Sequence, residues 1–402
     1  MAAPAVSVIT AAYNAGRFVE ETLTSIVAQT YQDFEMIVVD DGSTDDTRER
    51  VLRFAPRVTL LSQANGGVAA ALNAGLRRAR GAYVTFLDAD DVWVPRRLER
   101  VMRAFEHDRG VGAVYHGYAA VDEAGAPLGG AFVPPPRGDV LEPLLCGLFI
   151  GQSMITLRRA CFDRAGIFDT ALRTCPDWDL LLRVALSGER FCCVSEALVR
   201  YRIHGHNLTR NFARLVREGR IVLDRAFADP RLPRALQSGA VRARAYGHLS
   251  ISVAARCIQQ DQWSDGLALL LDGIRAHPRV LVRPSFYLDL AERALPLSRA
   301  GERQPQPAAR SDRAIGFLTD VLARLFEMPN LPPEVARRRR HAWSALWVAA
   351  AALQNAAGRR PLVVSNLARA LLVHPATAAA ALVRAGAAHA AEARPAWNQP
   401  SE

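Results

Sequence analysis

The first 95 residues alternate short apolar runs with longer amphipathic segments, and this alternation restricts the folds open to the chain. Four runs have the length and composition of strands buried on both faces: Val6–Thr10, Phe34–Val39, Val58–Leu61 and Tyr83–Leu87. Helices are predicted between them, with Asn14 capping the first, Ser43 or Thr44 capping the second, and Val68–Ala79 forming the third. This order predicts an α/β fold with a doubly wound, mostly parallel sheet.

The segments after this alternation are more varied. Val111–Val121 is predicted to be a further strand, followed by a loop rich in Gly and Pro from Gly125 to Gly138. Residues 150–210 mix short strand and helix patterns, and beyond about residue 215 the pattern is helical. The chain therefore combines an α/β region with an all-α region.

The length of 402 residues, half of them apolar, allows two domains. We predict an α/β catalytic domain over residues 1–230 and an all-α domain over residues 231–402, with a linker near 301–313. In the helical part, Ala254–Pro278 aligns with Ala351–Pro375 at an offset of 97 residues. Both segments resemble a degenerate tetratricopeptide-like hairpin, and chance similarity between helices rich in Ala and Leu is the alternative.

Composition indicates the cellular setting. No run of 18 apolar residues predicts a membrane-spanning helix, and the N-terminus lacks the basic and apolar segments of a secretory signal. None of the six cysteines forms a CxxC pair, which fits a soluble protein in a reducing cytoplasm better than a zinc site or a disulfide framework.

The net charge of +10 is unevenly distributed along the chain. Residues 1–210 carry 23 Arg and 25 acidic residues, whereas residues 211–402 carry 27 Arg and 15 acidic residues. All 50 basic residues are Arg, a bias that we attribute to coding composition, so no nucleic-acid partner is expected. The basic half is predicted either to meet the anionic inner face of a membrane or to be a solvated helical domain.

Carboxylates follow two of the four predicted strands. Asp40 and Asp41 end the second strand, and Asp88, Asp90 and Asp91 follow the fourth. Ligands of such sheets bind outside the carboxyl ends of the strands. Mg²⁺ and Mn²⁺ prefer oxygen ligands of this kind together with substrate phosphates. The second group therefore predicts a metal site, with an acidic helix-capping loop as the alternative.

These features resemble family 2 glycosyltransferases with the GT-A fold. The resemblance covers residues 6 to about 210 and lies in VSVITAAYNAGRFVEETLTSIVAQTYQDFEMIVVDDGSTDDT, NGGVAAALNAGLRRARGAYVTFLDADDVWVP, GIFDTALRTCPDWDLLLRVALSG and YRIHGHNLT. It implies a bacterial-type, inverting enzyme that uses Mg²⁺ or Mn²⁺ and moves a sugar from a nucleotide-sugar, with UDP favoured. Because the QxxRW motif and the membrane helices of processive members are absent from the sequence, we expect a single sugar to be added.

The resemblance implies a donor pocket at the ends of the first two strands. Tyr13, in the loop that follows Ala11, is similar to the aromatic residue that stacks on the donor base. Asp40 is similar to the acid that accepts from uracil N3–H, and Asp41 is expected beside it. We assign Ala11 and these three residues to donor binding.

The resemblance also implies roles after the third and fourth strands. Asp90 is similar to the metal ligand, and Asp88 to its partner near the ribose. Asn65 and Asn73 are expected to form hydrogen bonds on the donor side. The sequence departs from the family at Leu72, where an Arg often precedes the Asn.

The segment Pro176-Asp177-Trp178-Asp179 resembles the part of the family that carries the catalytic base, so Asp177 is the predicted base. Pro176 stands where the family usually has Glu. Asp177 and Asp179 also suit the N-terminus of a helix, and the two interpretations are compatible. Trp178 is expected either to shape an acceptor subsite or to pack in the core.

His204 lies in the last matching segment, at a position that approaches the metal or the diphosphate in the family. A histidine with a purely structural role is the alternative.

The implied chemistry needs a metal to neutralise the leaving nucleoside diphosphate and a carboxylate to take the acceptor proton. The acceptor is predicted to be a glycan or a lipid-linked molecule in surface-glycan synthesis. Two alternatives are a nucleotidyltransferase and a non-catalytic scaffold. The loop Ala11–Gly16 lacks the basic residues expected of the former, and the set of acids speaks against the latter.

Overall fold

The computed structural model describes residues 3–134, 139–205, 211–294 and 307–380. The chain divides into two compact units, of which the first runs to Ala245 and the second begins at Tyr246. No helix in the described part of the chain is both long and apolar enough to cross a membrane.

The first unit contains a nine-stranded mixed sheet. Its strands are β1 Val6–Ala12, β2 Phe34–Asp40, β3 Val58–Ser62, β4 Tyr83–Phe86, β5 Val92–Trp93, β6 Val111–Val121, β7 Pro127–Phe132, β8 Ile155–Arg158 and β9 Arg190–Arg202. They lie in the order β3-β2-β1-β4-β8-β6-β9-β5, and β7 pairs with β6. The first four strands are parallel, as the sequence predicts, whereas β8 runs antiparallel to both of its neighbours, β4 and β6.

Helices cover this sheet and build the second unit. In the first unit they are α1 Val19–Val27, α2 Thr47–Leu52, α3 Val68–Arg78, α4 Arg97–His107, α5 Leu141–Cys146, α6 Ala160–Ala165, α7 Pro176–Leu186 and α8 Phe212–Ala228. Further helices are α9 Gly239–Gln259, α10 Trp263–Ala276, α11 Pro284–Ala294, α12 Pro307–Glu327, α13 Pro333–Ala336, α14 Arg339–Ala356 and α15 Arg360–Val373. The predicted fold class, an α/β region followed by an all-α region, is confirmed.

The central parallel strands are apolar because both of their faces are covered. Val8 and Ile9 of β1 and Ile37 and Val38 of β2 are fully buried. Continuous apolar runs of this kind are typical of parallel strands between helical layers. The strands end within two residues of their predicted positions, so the acids that follow them reach the edge of the sheet.

The predicted helix caps are wrong, and the residues concerned bond to one another instead. Asn14 has a left-handed backbone with φ 48° and does not cap α1. Its backbone N–H donates to Ser43 Oγ at 3.0 Å, and its side-chain Oδ1 accepts from Thr44 N at 2.8 Å. At the start of α2, Asp45 Oδ1 accepts from Thr47 N at 3.0 Å. The cap residues therefore join the loops after β1 and β2.

The predicted loop over Gly125–Gly138 is partly a strand. Residues 127–132 form β7, which pairs antiparallel with β6. A tight turn precedes it, in which Asp122 Oδ1 accepts from the amides of Ala124 and Ala126, at 3.0 and 2.8 Å, and Gly125 has φ 84°. This hairpin escaped prediction because Gly and Pro are uncommon inside strands. Residues 135–138 lie outside the described residues.

Helices also replace part of the predicted linker. Residues 301–306 lie outside the described residues, and residues 307–313 form the beginning of α12. Pro307 is the first residue of that helix. Proline is tolerated there because an N–H at the first helical position would have no partner within the helix.

The second unit contains two helical hairpins related by an offset of 97 residues. The last residue of α9 lies 97 positions before the last residue of α14. Both ends of α10 likewise lie 97 positions before the ends of α15. Asp261 and Gly358, at equivalent positions in the two turns, are left-handed with φ of 62° and 73°. The amide of the following residue donates to a carbonyl five residues earlier, at 2.9 Å in each turn. The two hairpins therefore share their helix ends and the backbone geometry of their turns, a common way for helices to end.

Candidate active site

The loops that follow β1, β2 and β4 lie side by side at the carboxyl edge of the parallel strands. Ala12 of β1 lies opposite Asp40 of β2, and the Leu87 amide donates to the Ile9 carbonyl at 3.1 Å. Tyr13 is 52% exposed at this edge, as a residue that stacks on a ligand must be before binding.

Asp40 and Asp41 are both buried but have different surroundings. Asp40 Oδ1 accepts from Ser43 N at 3.0 Å. Asp41 accepts from Gln63 Nε2 at 2.7 Å and from Gly66 N at 2.9 Å through Oδ1, and from Gly67 N at 2.7 Å through Oδ2. Asp41 therefore shapes the turn before α3, and Asp40 shapes the loop after β2.

Contacts from other elements fix the acidic loop after β4. The Thr22 hydroxyl on α1 lies 2.9 Å from the carbonyl oxygens of Ala89 and Asp91. Asp88 Oδ1 accepts from Gln152 Nε2 at 2.6 Å, and its amide donates to Ser153 Oγ at 3.1 Å. The carboxylates of this loop therefore have defined positions before any ligand binds.

The acids in this loop act on one another electrostatically. Burial, followed by the charges of Asp90 and Asp177, raises the pKa of Asp88 to about 8. Burial and the charges of Asp90 and Asp88 also raise the pKa of Asp91 well above its usual range. Asp91 is fully buried, and its Oδ2 has no hydrogen-bond partner among the described residues. A cation near Asp90 would relieve this repulsion.

His204 reaches the same loop from the end of β9. Its Nε2 lies 2.7 Å from Asp90 Oδ2, and its ring centroid lies 5.0 Å from that of Phe18. The two partners are 114 residues apart in sequence. The structure thus brings together the predicted metal ligand and the histidine that was predicted to approach the metal.

Asp177 lies in the first turn of α7, which begins at Pro176. Its Oδ1 accepts from the Trp178 amide at 2.9 Å, and burial raises its pKa to about 6. Because its charge also raises the pKa of Asp88, Asp177 belongs to the same acidic edge. A carboxyl group with this pKa is ionised at neutral pH and basic enough to accept a proton.

Asp179, two residues further on, has a structural environment. It is 4% exposed, and its Oδ2 accepts from Arg183 Nε at 2.8 Å and Nη2 at 2.7 Å. Arg225 Nη1 of α8 lies 3.5 Å from its Oδ1. The Trp178 indole is buried and donates to the Leu144 carbonyl at 2.7 Å, which favours the core interpretation for Trp178.

The two predicted asparagines are placed differently. Asn65 is exposed in the turn held by Asp41, at the carboxyl end of β3. Asn73 is buried, and its side chain exchanges two hydrogen bonds with the backbone of Phe168, at 2.8 and 3.0 Å. Its side chain therefore joins α3 to the segment before α7. Leu72, beside it, is fully buried in the core.

Sequence reasoning missed a set of residues that hold the site together. Arg202 is 2% exposed, its amide donates to Asp91 Oδ1 at 3.0 Å, and its Nε donates to the Asp90 carbonyl at 2.8 Å. Its Nη2 pairs with Glu21 Oε2 at 2.6 Å. Its place in the segment with His204 was the one available signal. Glu218, in the middle of α8, supports the segment before α7 and has no local signature.

Asp90 and His204 fit a metal ion whose coordination is completed by a bound ligand. Among the described residues, no group of three or more His, Cys, Asp and Glu side chains forms a metal centre by itself. Asp90 and His204 offer two ligands, and a divalent cation such as Mg²⁺ commonly takes the rest from phosphates and water. The mutual repulsion of the neighbouring acids is a second reason to expect a cation here.

A mixed sheet that gathers acids at the ends of its parallel strands is the arrangement of a nucleotide-sugar-dependent transferase of the GT-A type. The family profile described as "Glycosyl transferase family 2" matches residues 7–161. The putative teichuronic acid biosynthesis glycosyltransferase TuaG of Bacillus subtilis is 32% identical over 214 residues, which cover 52% of this chain and 82% of TuaG. The chain therefore belongs to glycosyltransferase family 2.

Other relatives agree with this assignment. An uncharacterized glycosyltransferase of Rickettsia felis is 34% identical over 193 residues, which cover 45% of this chain and 32% of that protein. Another, from Rickettsia prowazekii, is 32% identical, and the match covers 66% of that protein. The chain therefore spans between about a third and two thirds of the length of these two relatives. The crystal structure of residues 1–349 of TarS from S. aureus has a TM-score of 0.51 at 19% identity, with 72% of this chain and 87% of that chain covered, and it supports the fold.

Proposed function

We propose that this family 2 member is an inverting, metal-dependent enzyme that transfers one sugar from a UDP-sugar to an acceptor hydroxyl. The observation that carries the proposal is the 2.7 Å contact between His204 and Asp90 in the acidic loop after β4, at the sheet edge where Asp40 ends β2. Metal coordination, donor binding and proton transfer require such groups within reach of one another.

The donor would lie across the ends of β1, β2 and β4. Tyr13 would stack on the base beside Ala11, and Asp40 would accept from the uracil N3–H. Asp88 would contact the ribose. Asp41, Asn65 and Asn73 would define the wall formed by the turn and helix after β3, and the fixed bonds of Asp41 support this role.

Asp90 and His204 would hold Mg²⁺ or Mn²⁺, which when bound supplies positive charge for the leaving diphosphate. The 2.7 Å contact between the two side chains supports this pairing. Arg202 would fix the position of Asp90 by donating a hydrogen bond to the Asp90 backbone carbonyl.

Asp177 would accept the proton of the acceptor hydroxyl as that oxygen attacks the anomeric carbon. One base and a direct displacement invert the configuration, because no second carboxylate is needed for a covalent intermediate. The raised pKa of Asp177, about 6, supports the assignment, since it makes the carboxylate a stronger base than an exposed aspartate.

We further propose that residues 1–230 hold the donor site and that residues 231–402 contact the acceptor or the anionic inner face of a membrane. The acceptor would be a glycan or a lipid-linked glycan in the cytoplasm, used in the synthesis of a surface polysaccharide. The description of TuaG supports this class of product, because this chain matches 82% of the length of TuaG. All six cysteines lie in the described residues as thiols, which is compatible with a reducing compartment.

The proposal is tested by a screen of nucleotide-sugars with the full-length protein. Thermal stabilisation and release of UDP are measured with and without Mg²⁺ or Mn²⁺, with GDP- and TDP-sugars as comparisons. We expect one UDP-sugar to stabilise the protein when metal is present. If no nucleotide-sugar stabilises the protein or is hydrolysed, the proposed function is wrong. Release of pyrophosphate would indicate a nucleotidyltransferase instead.

A further inference from the structure

Arg173 is a cationic residue at the acidic edge that the proposed chemistry does not use. It lies between α6 and α7, four residues before Asp177. Its side chain reaches across to Gly67, the residue that precedes α3, and packs directly on it. Gly67 has φ 86°, and a Cβ at this position would overlap the guanidinium. Glycine at this position therefore lets the guanidinium lie against the turn after β3.

The backbone of this segment is fixed from the opposite side. Glu218 of α8 is 4% exposed, and its Oε2 accepts from Arg173 N at 2.9 Å, from Thr174 N at 2.7 Å and from Thr174 Oγ1 at 2.8 Å. Hydrogen bonds to a carboxylate are stronger than neutral ones. Arg173 thus extends from a backbone that is anchored before a ligand binds, which lowers the ordering cost of binding.

The guanidinium of Arg173 has no acidic partner among the described residues. Neighbouring arginines in the same unit behave differently. Arg183 pairs with Asp179 at 2.7 Å, Arg225 with Asp169 at 2.7 Å, and the buried Arg202 with Glu21 at 2.6 Å. An exposed arginine that packs on the turn held by Asp41 but pairs with no acid among the described residues is suited to an anion that arrives from solution.

We propose that Arg173 binds an anionic group of the donor, either its diphosphate or a carboxylate on its sugar. This inference rests on the proposed function, since it takes the donor to lie at the same edge. A guanidinium can bind phosphate or carboxylate through two parallel hydrogen bonds. Arg173 would thereby join the turn after β3 to the segment that carries Asp177, and its ligand preference would determine which donors are accepted.

The test compares the binding of uridine, UDP, UDP-glucose and UDP-glucuronic acid to full-length wild type, Arg173→Gln and Arg173→Lys, by calorimetry with Mg²⁺. Arg77→Gln, an exposed arginine at the far end of α3, is the matched control. Loss of a charge-assisted contact should weaken binding about tenfold to hundredfold. If the diphosphate is the ligand, UDP and both sugars weaken and uridine does not. If the sugar carboxylate is the ligand, UDP-glucuronic acid alone weakens.

Arg173→Lys should recover part of the lost affinity, because it keeps the charge but not the bidentate geometry. The inference is overturned if Arg173→Gln binds all four ligands as tightly as wild type. It is also overturned if uridine weakens as much as UDP, because that result indicates a displaced segment and no anion contact. If wild type binds none of the ligands, the proposed function has failed, and the assignment of Arg173 fails with it.

Discussion

The two units of the chain are stabilised by contacts of different range. In the first unit, decisive contacts join residues far apart in sequence, such as His204 with Asp90 and Arg202 with Glu21, separated by 114 and 181 positions. In the second unit, the same helical hairpin occurs twice with the same turn. A site for group transfer needs several chemical groups at one point, which long-range contacts supply. A repeat extends a surface instead, because each copy contacts only its neighbours.

The units also differ in charge. The first concentrates carboxylates at one edge of its sheet, and the second is rich in arginine. Within the second, Arg337 to Arg340 form a run of four at the start of α14. The ion pairs of the described second unit, Arg324 with Asp320 and Arg359 with Asp312, do not involve this run. We therefore expect the first unit to attract a cation and the second to attract an anionic surface.

Removal of the metal ligand should have the largest effect. We expect Asp90→Ala to lower turnover by at least about 10³-fold, because the leaving diphosphate loses its counter-charge. Excess EDTA should do the same to wild type, and both should weaken UDP binding in calorimetry. Asp163→Ala, which removes an exposed acid from α6, is the control. Full activity in EDTA would contradict a metal-dependent first unit.

Removal of the base should have the next largest effect. Asp177→Asn should lower transfer by about 10² to 10⁴-fold, the usual contribution of a positioned general base. UDP affinity should stay within a few-fold, because the donor contacts lie in other loops. Asp177→Asn keeps the shape of the side chain, so the thermal midpoint should change little.

Asp179→Asn is the matched control for Asp177→Asn. Its carboxylate pairs with Arg183 and is nearly buried, so we expect a loss of stability of about 1–3 kcal/mol with activity kept in the folded fraction. The opposite pattern, in which Asp179→Asn abolishes transfer and Asp177→Asn does not, would show that the base is misassigned within the motif.

The pH dependence of kcat/KM follows from the pKa of Asp177. Burial raises this pKa to about 6, and the base works only when ionised. Activity should therefore fall tenfold per pH unit below about pH 6. Asp88 shares this edge, and metal binding near it would move the acid limb lower. A rate that rises as the pH falls from 7 to 5 would contradict the assignment.

The sequence predicts the parallel half of the sheet well, because strands buried on both faces must be continuously apolar. It places Asp40, Asp88 and Asp90 at the carboxyl edge of the sheet for the same reason: Asp40 ends β2, and Asp88 and Asp90 lie within four residues of the end of β4. The predicted cap at Asn14 fails because a short polar side chain finds a partner on any nearby loop, and the better partner came from β2.

Other parts of the site have no local signal. Glu218 lies within an ordinary amphipathic helix, and its three donors lie 44 and 45 positions earlier in the sequence. His204 became a candidate only through a resemblance, and Arg202, two residues earlier, was missed, since a contact across more than 100 residues leaves no periodicity. The site residues of the first unit that are positioned by tertiary contacts cannot be predicted from a single sequence.

The charge difference between the units predicts salt-sensitive binding to anionic vesicles. A sedimentation assay should show the full-length protein bound to vesicles rich in phosphatidylglycerol and released as salt rises. Neutralising Arg339 and Arg340 with Gln should weaken binding about thirtyfold, since each basic residue near the surface contributes about 1 kcal/mol. Replacement of Arg96 and Arg103, both paired with Glu99 in the first unit, is the control. Equal binding to neutral vesicles would contradict a charge-driven contact.

The smallest predicted effect concerns the two repeated turns of the second unit. Gly358→Asp and Asp261→Gly exchange the residues at equivalent left-handed positions. A side chain in this conformation costs about 1 kcal/mol relative to glycine, so Gly358→Asp should lower the free energy of unfolding by about that amount.

The reverse change should not recover the same energy. Asp261 Oδ1 accepts from Trp263 Nε1 at 3.0 Å, a hydrogen bond that Asp261→Gly removes, whereas the position equivalent to Trp263 in the second hairpin is Arg360. The gain in backbone freedom and the lost bond should offset each other to within about 0.5 kcal/mol. Urea unfolding followed by tryptophan fluorescence measures both changes. If the two variants shift stability equally and in opposite directions, the Asp261–Trp263 bond contributes nothing, and the two turns are energetically the same.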